Sequence, residues 1–205
     1  NFMEKNVLIL DYGMGNIFSV KNALEYLGAK VEISSNSAQI SEHEYIILPG
    51  VGSFGKAMEK IKYLKIDLGI KDAVKKKNKI LGICLGFQLL CNSSSEGGNQ
   101  EGLGLINDDI IKMDNNFGKV PHVGFNSIKI EKNSDLFYGV KDGSDFYFNH
   151  SYFLKNGNQD FVTSTCMNNN DFVSSYCKDN IYGTQFHPEK SQSNGLIILK
   201  NFLNK

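Results

Sequence analysis

Apolar and polar positions along this chain fall into two textures that change near residue 100. The segment NVLILDYG, 6–13, is a continuous apolar run closing on a glycine. Residues 16–27, NIFSVKNALEYL, repeat apolar side chains at helical spacing and stop at Gly28. The same reading predicts a short strand at 30–33, a buried strand at 45–50 (YIILPG) and helices near 54–63 and 67–77. A buried strand at 79–84 (KILGIC) and a helix over 85–92 follow. Strands alternating with amphipathic helices predict a mostly parallel α/β sheet with helices on both faces.

Beyond residue 100 the apolar pieces become short. They lie at 126–130, 145–149, 161–166, 172–177 and 181–186, separated by clusters of Asn, Asp, Gly and Ser. That pattern predicts antiparallel strands in the C-terminal half. A last helix, 194–203 (NGLIILKNFL), is expected to pack back on the sheet. The chain, 1–205, reads as one domain without internal repeats. The lysine run 75–77 reads as a solvated helix end.

Composition narrows the partners. The 22 basic and 22 acidic residues balance, so no basic face advertises nucleic acid and none is expected as a partner. All 22 basic residues are lysines. Without arginine's bidentate fork, a phosphate or carboxylate must be held by backbone amides, by lysines or by another chain. A small substrate recognised mostly through amides is therefore expected. No apolar run approaches about 18 residues, so no membrane association is expected. Cys84, Cys91, Cys166 and Cys177 show neither CxxC spacing nor a secretory leader before them, which argues against zinc and a disulfide framework and for a reducing cytoplasm. No metal and no cofactor is expected.

The segment GICLGFQLL, 82–90, sets Cys84 where an apolar run gives way to a helical pattern, with a glycine two positions to either side. Flanking glycines let strand and helix approach closely around a strained turn that exposes a nucleophile. The start of the following helix would favour thiolate over thiol. A small buried hydrophobe is the alternative reading of Cys84; Cys91, Cys166 and Cys177 lack the glycines and read as structural. A thiol nucleophile needs a base. His187, in GTQFHPEKSQ, follows a predicted strand, and Glu189 two residues on projects to the same side, where it can orient the imidazole. A turn bearing a surface His and Glu is the alternative there. His43, in SEHEY, is expected at the surface, whereas His122 and His150 stay open between base, interface contact and core group. The Leu85 amide is a natural oxyanion donor, and the second could come from LPGVGSFG, 48–55, where a buried strand breaks into glycines. That segment lacks the P-loop lysine signature, so a phosphate loop is disfavoured.

In that order, LPGVGSFG, GICLGFQLL and HPEKSQ resemble the oxyanion strand, nucleophile elbow and His/Glu segment of the triad-type, class I glutamine amidotransferases. Within them, DYGMGNIFSV (11–20), EGLGLI (101–106), KVPHVGFN (119–126), NHSY (149–152) and HPEKSQSNGLIILKNF (187–202) are similar to the glutaminase subunits of imidazole glycerol phosphate synthases, over essentially the whole chain. The resemblance implies a flavodoxin-like fold and a Cys84–His187–Glu189 triad that hydrolyses glutamine through a γ-glutamyl thioester. It implies that Gly52 and Leu85 serve the oxyanion, and that Gly50, Gly52, Gln88, Ser151 and Tyr152 hold glutamine. It further implies a heterodimer with a (β/α)₈-barrel cyclase subunit, which takes the ammonia to make imidazole glycerol phosphate and AICAR in histidine biosynthesis. Tyr12, Asn16, Pro121, His122, Asn126, Tyr147 and Lys190 match positions facing that subunit. Three residues depart from the pattern: Phe18 replaces an expected arginine, Phe125 a tryptophan and Asn149 an apolar residue. They leave open an alternative, a paralogous glutaminase feeding a different synthase, for example one amidinating a cell-surface sugar.

Overall fold

The computed structural model describes residues 4–157 and 160–205. The N-terminal half alternates as anticipated: β1 (Asn6–Leu10), α1 (Ile17–Tyr26), β2 (Lys30–Ser34), α2 (Ser37–Ile40), β3 (Tyr45–Leu48), α3 (Phe54–Tyr63), α4 (Ile66–Lys75), β4 (Lys79–Ile83) and α5 (Leu85–Leu89). The C-terminal half contains β5 (Cys91–Ser94), β6 (Gln100–Glu101), β7 (Ile106–Lys112), β8 (His122–Ile130), β9 (Asp145–His150), β10 (Tyr152–Leu154), β11 (Val162–Cys166), β12 (Phe172–Lys178), β13 (Ile181–Thr184) and α6 (Gln192–Leu203).

One nine-stranded sheet runs β2-β1-β3-β4-β13-β12-β11-β8-β9. Its first five strands pair in parallel and the rest are antiparallel. The parallel order is that of doubly wound folds, whose ligands bind beyond the carboxyl ends of the strands. β1, β3 and β4 can be buried on both sides because they carry almost nothing polar: VLIL, YIIL and ILGI are fully buried. On one face Leu8, Ile46 and Ile80 pack with Phe54, Ile61, Ile66 and Ile70 of α3 and α4. On the other, Ile9, Ile47 and Leu81 pack with Val20 and Leu24 of α1 and Ile198 and Phe202 of α6.

The structure departs from the sequence reading in several places, among them the short α2, which the apolar pattern does not mark. The helix predicted over 85–92 ends at Leu89, and Cys91 opens β5 instead of lying on a helical face. A second sheet, β10-β7-β5-β6, was not anticipated; it packs Ile106, Ile110 and Leu154 onto the first cluster. Cys91 and Cys166 are wholly buried, and all four cysteines are free.

Candidate active site

β4 and β13 are neighbours in parallel register, Ile83 opposite Thr184, so the residues that leave their carboxyl ends emerge side by side. Cys84 leaves β4 and Gln185, Phe186 and His187 leave β13; the Cys84 amide donates to the Thr184 carbonyl at 2.8 Å. Cys84 has φ 54° and ψ −107°, a strained conformation for a residue with a side chain. The flanking glycines explain how it is tolerated. A Cβ on Gly86 would overlap the Leu48 carbonyl of β3, and one on Gly82 would press on the Gly86 carbonyl. With only five residues, α5 offers the sulfur a modest dipole, so the nearby charged groups matter more.

His187 is buried, and its Nδ1 lies 2.7 Å from Glu189 Oε1. A short 3₁₀ turn, Pro188–Lys190, brings the carboxylate back under the ring, which is how a spacing of two residues closes a hydrogen bond. His187 Nε2 and Glu189 Oε2 are buried without a hydrogen-bond partner among the described residues. Loss of solvent works against the imidazolium, but the Cys84 sulfur and the Glu189 carboxylate outweigh it and raise the pKa of His187 to about 10. The Cys84 thiol donates to the Asn149 carbonyl at 3.7 Å.

The remaining site candidates divide. Gln88 is buried, and its Nε2 donates to the Tyr152 carbonyl at 3.1 Å and to Gln185 Oε1 at 3.0 Å. Both hydrogens of its amide are thus engaged within the protein, and Oε1 is the atom left for a ligand. The Ser151 carbonyl accepts from the Met113 amide, and the Tyr152 carbonyl also accepts from His150 Nδ1. Gly50 and Gly52 lie in the loop after β3, Gly52 at φ 107°. The Leu85 amide donates to the Gly50 carbonyl at 3.3 Å, so the N–H read as an oxyanion donor is satisfied inside the loop. A small cleft is lined by Asn16, Gly50, Val51, His187 and Glu189. A larger cleft lies at the opposite, amino ends of the strands, among Lys5, Lys30, Glu32, Glu44 and Tyr45, away from these groups.

Two residues expected at a partner face are instead inside. Tyr12 is 2% exposed and donates to the Pro49 carbonyl at 2.6 Å, so it braces the glycine loop. His122 is buried against His150, their Nδ1 and Nε2 atoms 3.0 Å apart, because aromatic neighbours on β9 and β12 enclose both rings. Pro121 is exposed, whereas Asn16, Asn126, Tyr147 and Lys190 are half-buried; the Lys190 ammonium lies 5.8 Å from the Tyr147 ring centre. His43 is half-buried too, bonded to Gln39 and Glu32. Sequence reasoning missed Glu96, whose Oε2 accepts from the Phe54 amide at 3.0 Å, and Gln185, whose Nε2 lies 3.9 Å from the Cys84 sulfur. Of these two, only Gln185 carried a signal, its position at the end of a buried strand.

A parallel sheet with a strained cysteine after one strand and a His/Glu pair after its neighbour is an arrangement suited to thiol-based acyl transfer. The chain belongs to the family "Glutamine amidotransferase class-I", whose profile matches residues 8–205. It is 40% identical over 196 residues to the imidazole glycerol phosphate synthase subunit HisH of Moorella thermoacetica, covering 96% of this chain and 93% of that one. It is 42% identical over 198 residues to subunit HisH 1 of Campylobacter jejuni, covering 96% and 98%. Solved structures share the fold at lower identity. PurLQS from Thermotoga maritima superposes with a TM-score of 0.76 at 20% identity, covering 98% of this chain and 99% of that one. A glutamine amidotransferase from Thermotoga maritima gives 0.67 at 17% identity, covering 91% and 77%.

Proposed function

We propose that this chain is the glutaminase subunit of an imidazole glycerol phosphate synthase and that Cys84, His187 and Glu189 are its triad. The observation that carries the triad is the adjacency of β4 and β13, which delivers the sulfur and the Glu189-bound imidazole to one place. Similarity to the HisH subunits along nearly the whole chain carries the pathway.

In this reading the Cys84 thiolate attacks the side-chain carbonyl carbon of glutamine, and His187, protonated at Nε2, gives its proton to the departing nitrogen. Ammonia leaves and a γ-glutamyl thioester remains. His187 then takes a proton from water, which attacks the thioester and releases glutamate. Glu189 keeps Nδ1 protonated throughout and stabilises the imidazolium. The Gly50 carbonyl must move away before the Leu85 amide can meet the oxyanion, with Gly52 in the same loop. Gln88 Oε1 and the Glu96 carboxylate, anchored at the start of α3, suit the ammonium group of glutamine, and Gly50, Gly52, Ser151 and Tyr152 flank the substrate.

Ammonia in neutral water is mostly protonated and loses its nucleophilic lone pair, so a sealed passage to the consuming site is required. The partner is a (β/α)₈-barrel cyclase, docked over Asn16, Pro121, Asn126, Tyr147 and Lys190. Absence of arginine fits a division of labour in which the phosphorylated substrate is bound by that second chain.

Glutamate release from glutamine, measured for the chain alone and with the histidine-pathway barrel and its nucleotide-like ligand, tests this. Cys84→Ala serves as the blank and is expected to be silent. Stimulation by that barrel supports the reading; stimulation only by a different synthase makes the chain a paralogue, and turnover by Cys84→Ala removes the triad.

A further inference from the structure

Gln185 is wholly buried, and its backbone is fixed by a hydrogen bond from its amide to the Ser174 carbonyl at 2.9 Å. Its side-chain orientation follows from a chain of donors with one solution. The Tyr152 carbonyl can only accept, so the Gln88 atom 3.1 Å away is the nitrogen. The second hydrogen of that nitrogen faces Gln185 at 3.0 Å, so the facing atom is Oε1. Gln185 therefore directs its NH₂ group at the Cys84 sulfur, 3.9 Å away. A flipped Gln185 would set nitrogen against nitrogen at Gln88 and oxygen against sulfur at Cys84.

We propose that Gln185 is a positioning residue for Cys84, its side-chain N–H donating to the sulfur and stabilising thiolate over thiol. This rests on Cys84 being the nucleophile. The neutral sulfur donates to the Asn149 carbonyl and accepts from Gln185. Transfer of the proton to His187 ends the first contact and strengthens the second, because an N–H donated to an anion is stronger than one donated to a neutral acceptor. The other titratable groups near the sulfur are His187 with Glu189 behind it and the Tyr12 hydroxyl. His150 lies one step further, coupled to His187. Gln88 ties the Gln185 amide to the site that receives glutamine.

The test is the rate of Cys84 alkylation by iodoacetamide across pH for the wild type, Gln185→Leu and Gln185→Met, with Cys84→Ala to subtract the other thiols. Loss of the donor is expected to slow alkylation about tenfold at neutral pH and to displace the profile upward by about one pH unit, with the wild-type plateau regained at high pH. A packing defect would lower the plateau without moving the midpoint. Gln185→Met keeps an unbranched side chain if the leucine variant does not fold. In the wild type, the Gln185 side-chain amide resonance is expected to titrate with the alkylation midpoint. An unmoved profile in a folded variant, or a resonance blind to that midpoint, overturns the role of Gln185. Glutamine hydrolysis surviving in Cys84→Ala would instead overturn the reading on which it rests.

Discussion

At Cys84 the backbone adopts a conformation that is unfavourable for a side chain, and the surrounding close contacts hold it there. Gly86 is the position where this is least forgiving, since an added methyl meets the backbone oxygen of Leu48 and no flexible side chain can yield. Gly86→Ala is expected to destabilise the fold by about 3 kcal/mol, read from urea denaturation, because β3 and α5 must separate. Glu189→Gln tests a chemical dependence. Its amide can present an N–H to Nδ1 and stabilise the wrong imidazole tautomer, so turnover is expected to fall at least about 10²-fold, and the melting temperature is expected to fall as well because the buried imidazole loses its carboxylate partner. Steady-state kinetics beside thermal unfolding would separate these effects, and near-normal turnover would count against the role of Glu189. At this scale the sequence exposed Cys84, His187 and Glu189 because glycines and a proline frame them. It hid Glu96, which carries no local signal of what folds against it, and marked Gln185 only by its place at the end of a buried strand, with nothing to show that it meets Cys84 and Gln88.

Between β8 and β9 the two buried histidines form an ordered chain. His150 Nδ1 donates to the Tyr152 carbonyl, so its Nε2 accepts from His122 Nδ1, and His122 Nε2 accepts from the Asn126 amide. Every proton in that chain has a place only when both rings are neutral. Burial lowers the pKa of His150 to about 3 and lowers that of His122 as well. Between pH 6.5 and about 3 the unfolded chain binds a proton that His150 in the fold refuses, so stability falls as pH falls, by about 1.4 kcal/mol per pH unit. His187 acts in the other direction. With its pKa raised from 6.5 to about 10, its contribution is complete below 6.5 and is lost as pH rises through that window. Urea midpoints measured across pH are expected to peak near neutrality. His150→Gln should flatten the acid limb and His187→Gln the alkaline limb; unaltered limbs would rule out these two groups as the source. The same burial explains why the apolar pattern starts β8 four residues late, since a buried histidine followed by Val-Gly does not look like strand. β7 escapes the pattern for a related reason: Asp108 faces inward, satisfied by the Asn156 and Gly157 amides, and breaks the apolar alternation.

Sheet order was legible in its parallel half, where uninterrupted apolar strands and amphipathic helices allow few arrangements, but the pairing of β13 with β4 depends on contacts between distant parts of the chain. That pairing gathers the loops after β1, β3, β4 and β13 at one end of the molecule. The same end presents apolar side chains to solvent: Phe18 is 71% exposed, Val51 40%, Val123 55% and Phe125 47%. Phe125 packs on Tyr147, over which Lys190 lies, and Tyr147 in turn touches the His187 ring. Aromatic anchors at the centre of an interface typically account for a large share of its affinity. Phe125→Lys is therefore expected to weaken assembly with the proposed barrel partner by at least about tenfold, measured by calorimetric titration, while Cys84 alkylation in the isolated chain keeps its pH profile. Lys190→Ala should have a smaller effect on affinity and a clear one on stimulation of glutamate release by the liganded partner, since the lysine follows His187 by three residues in the same turn. If Phe125→Lys binds the proposed barrel partner as the wild type does, that partner docks elsewhere, and ammonia must leave by a route other than the one beside Cys84, His187 and the glycine loop.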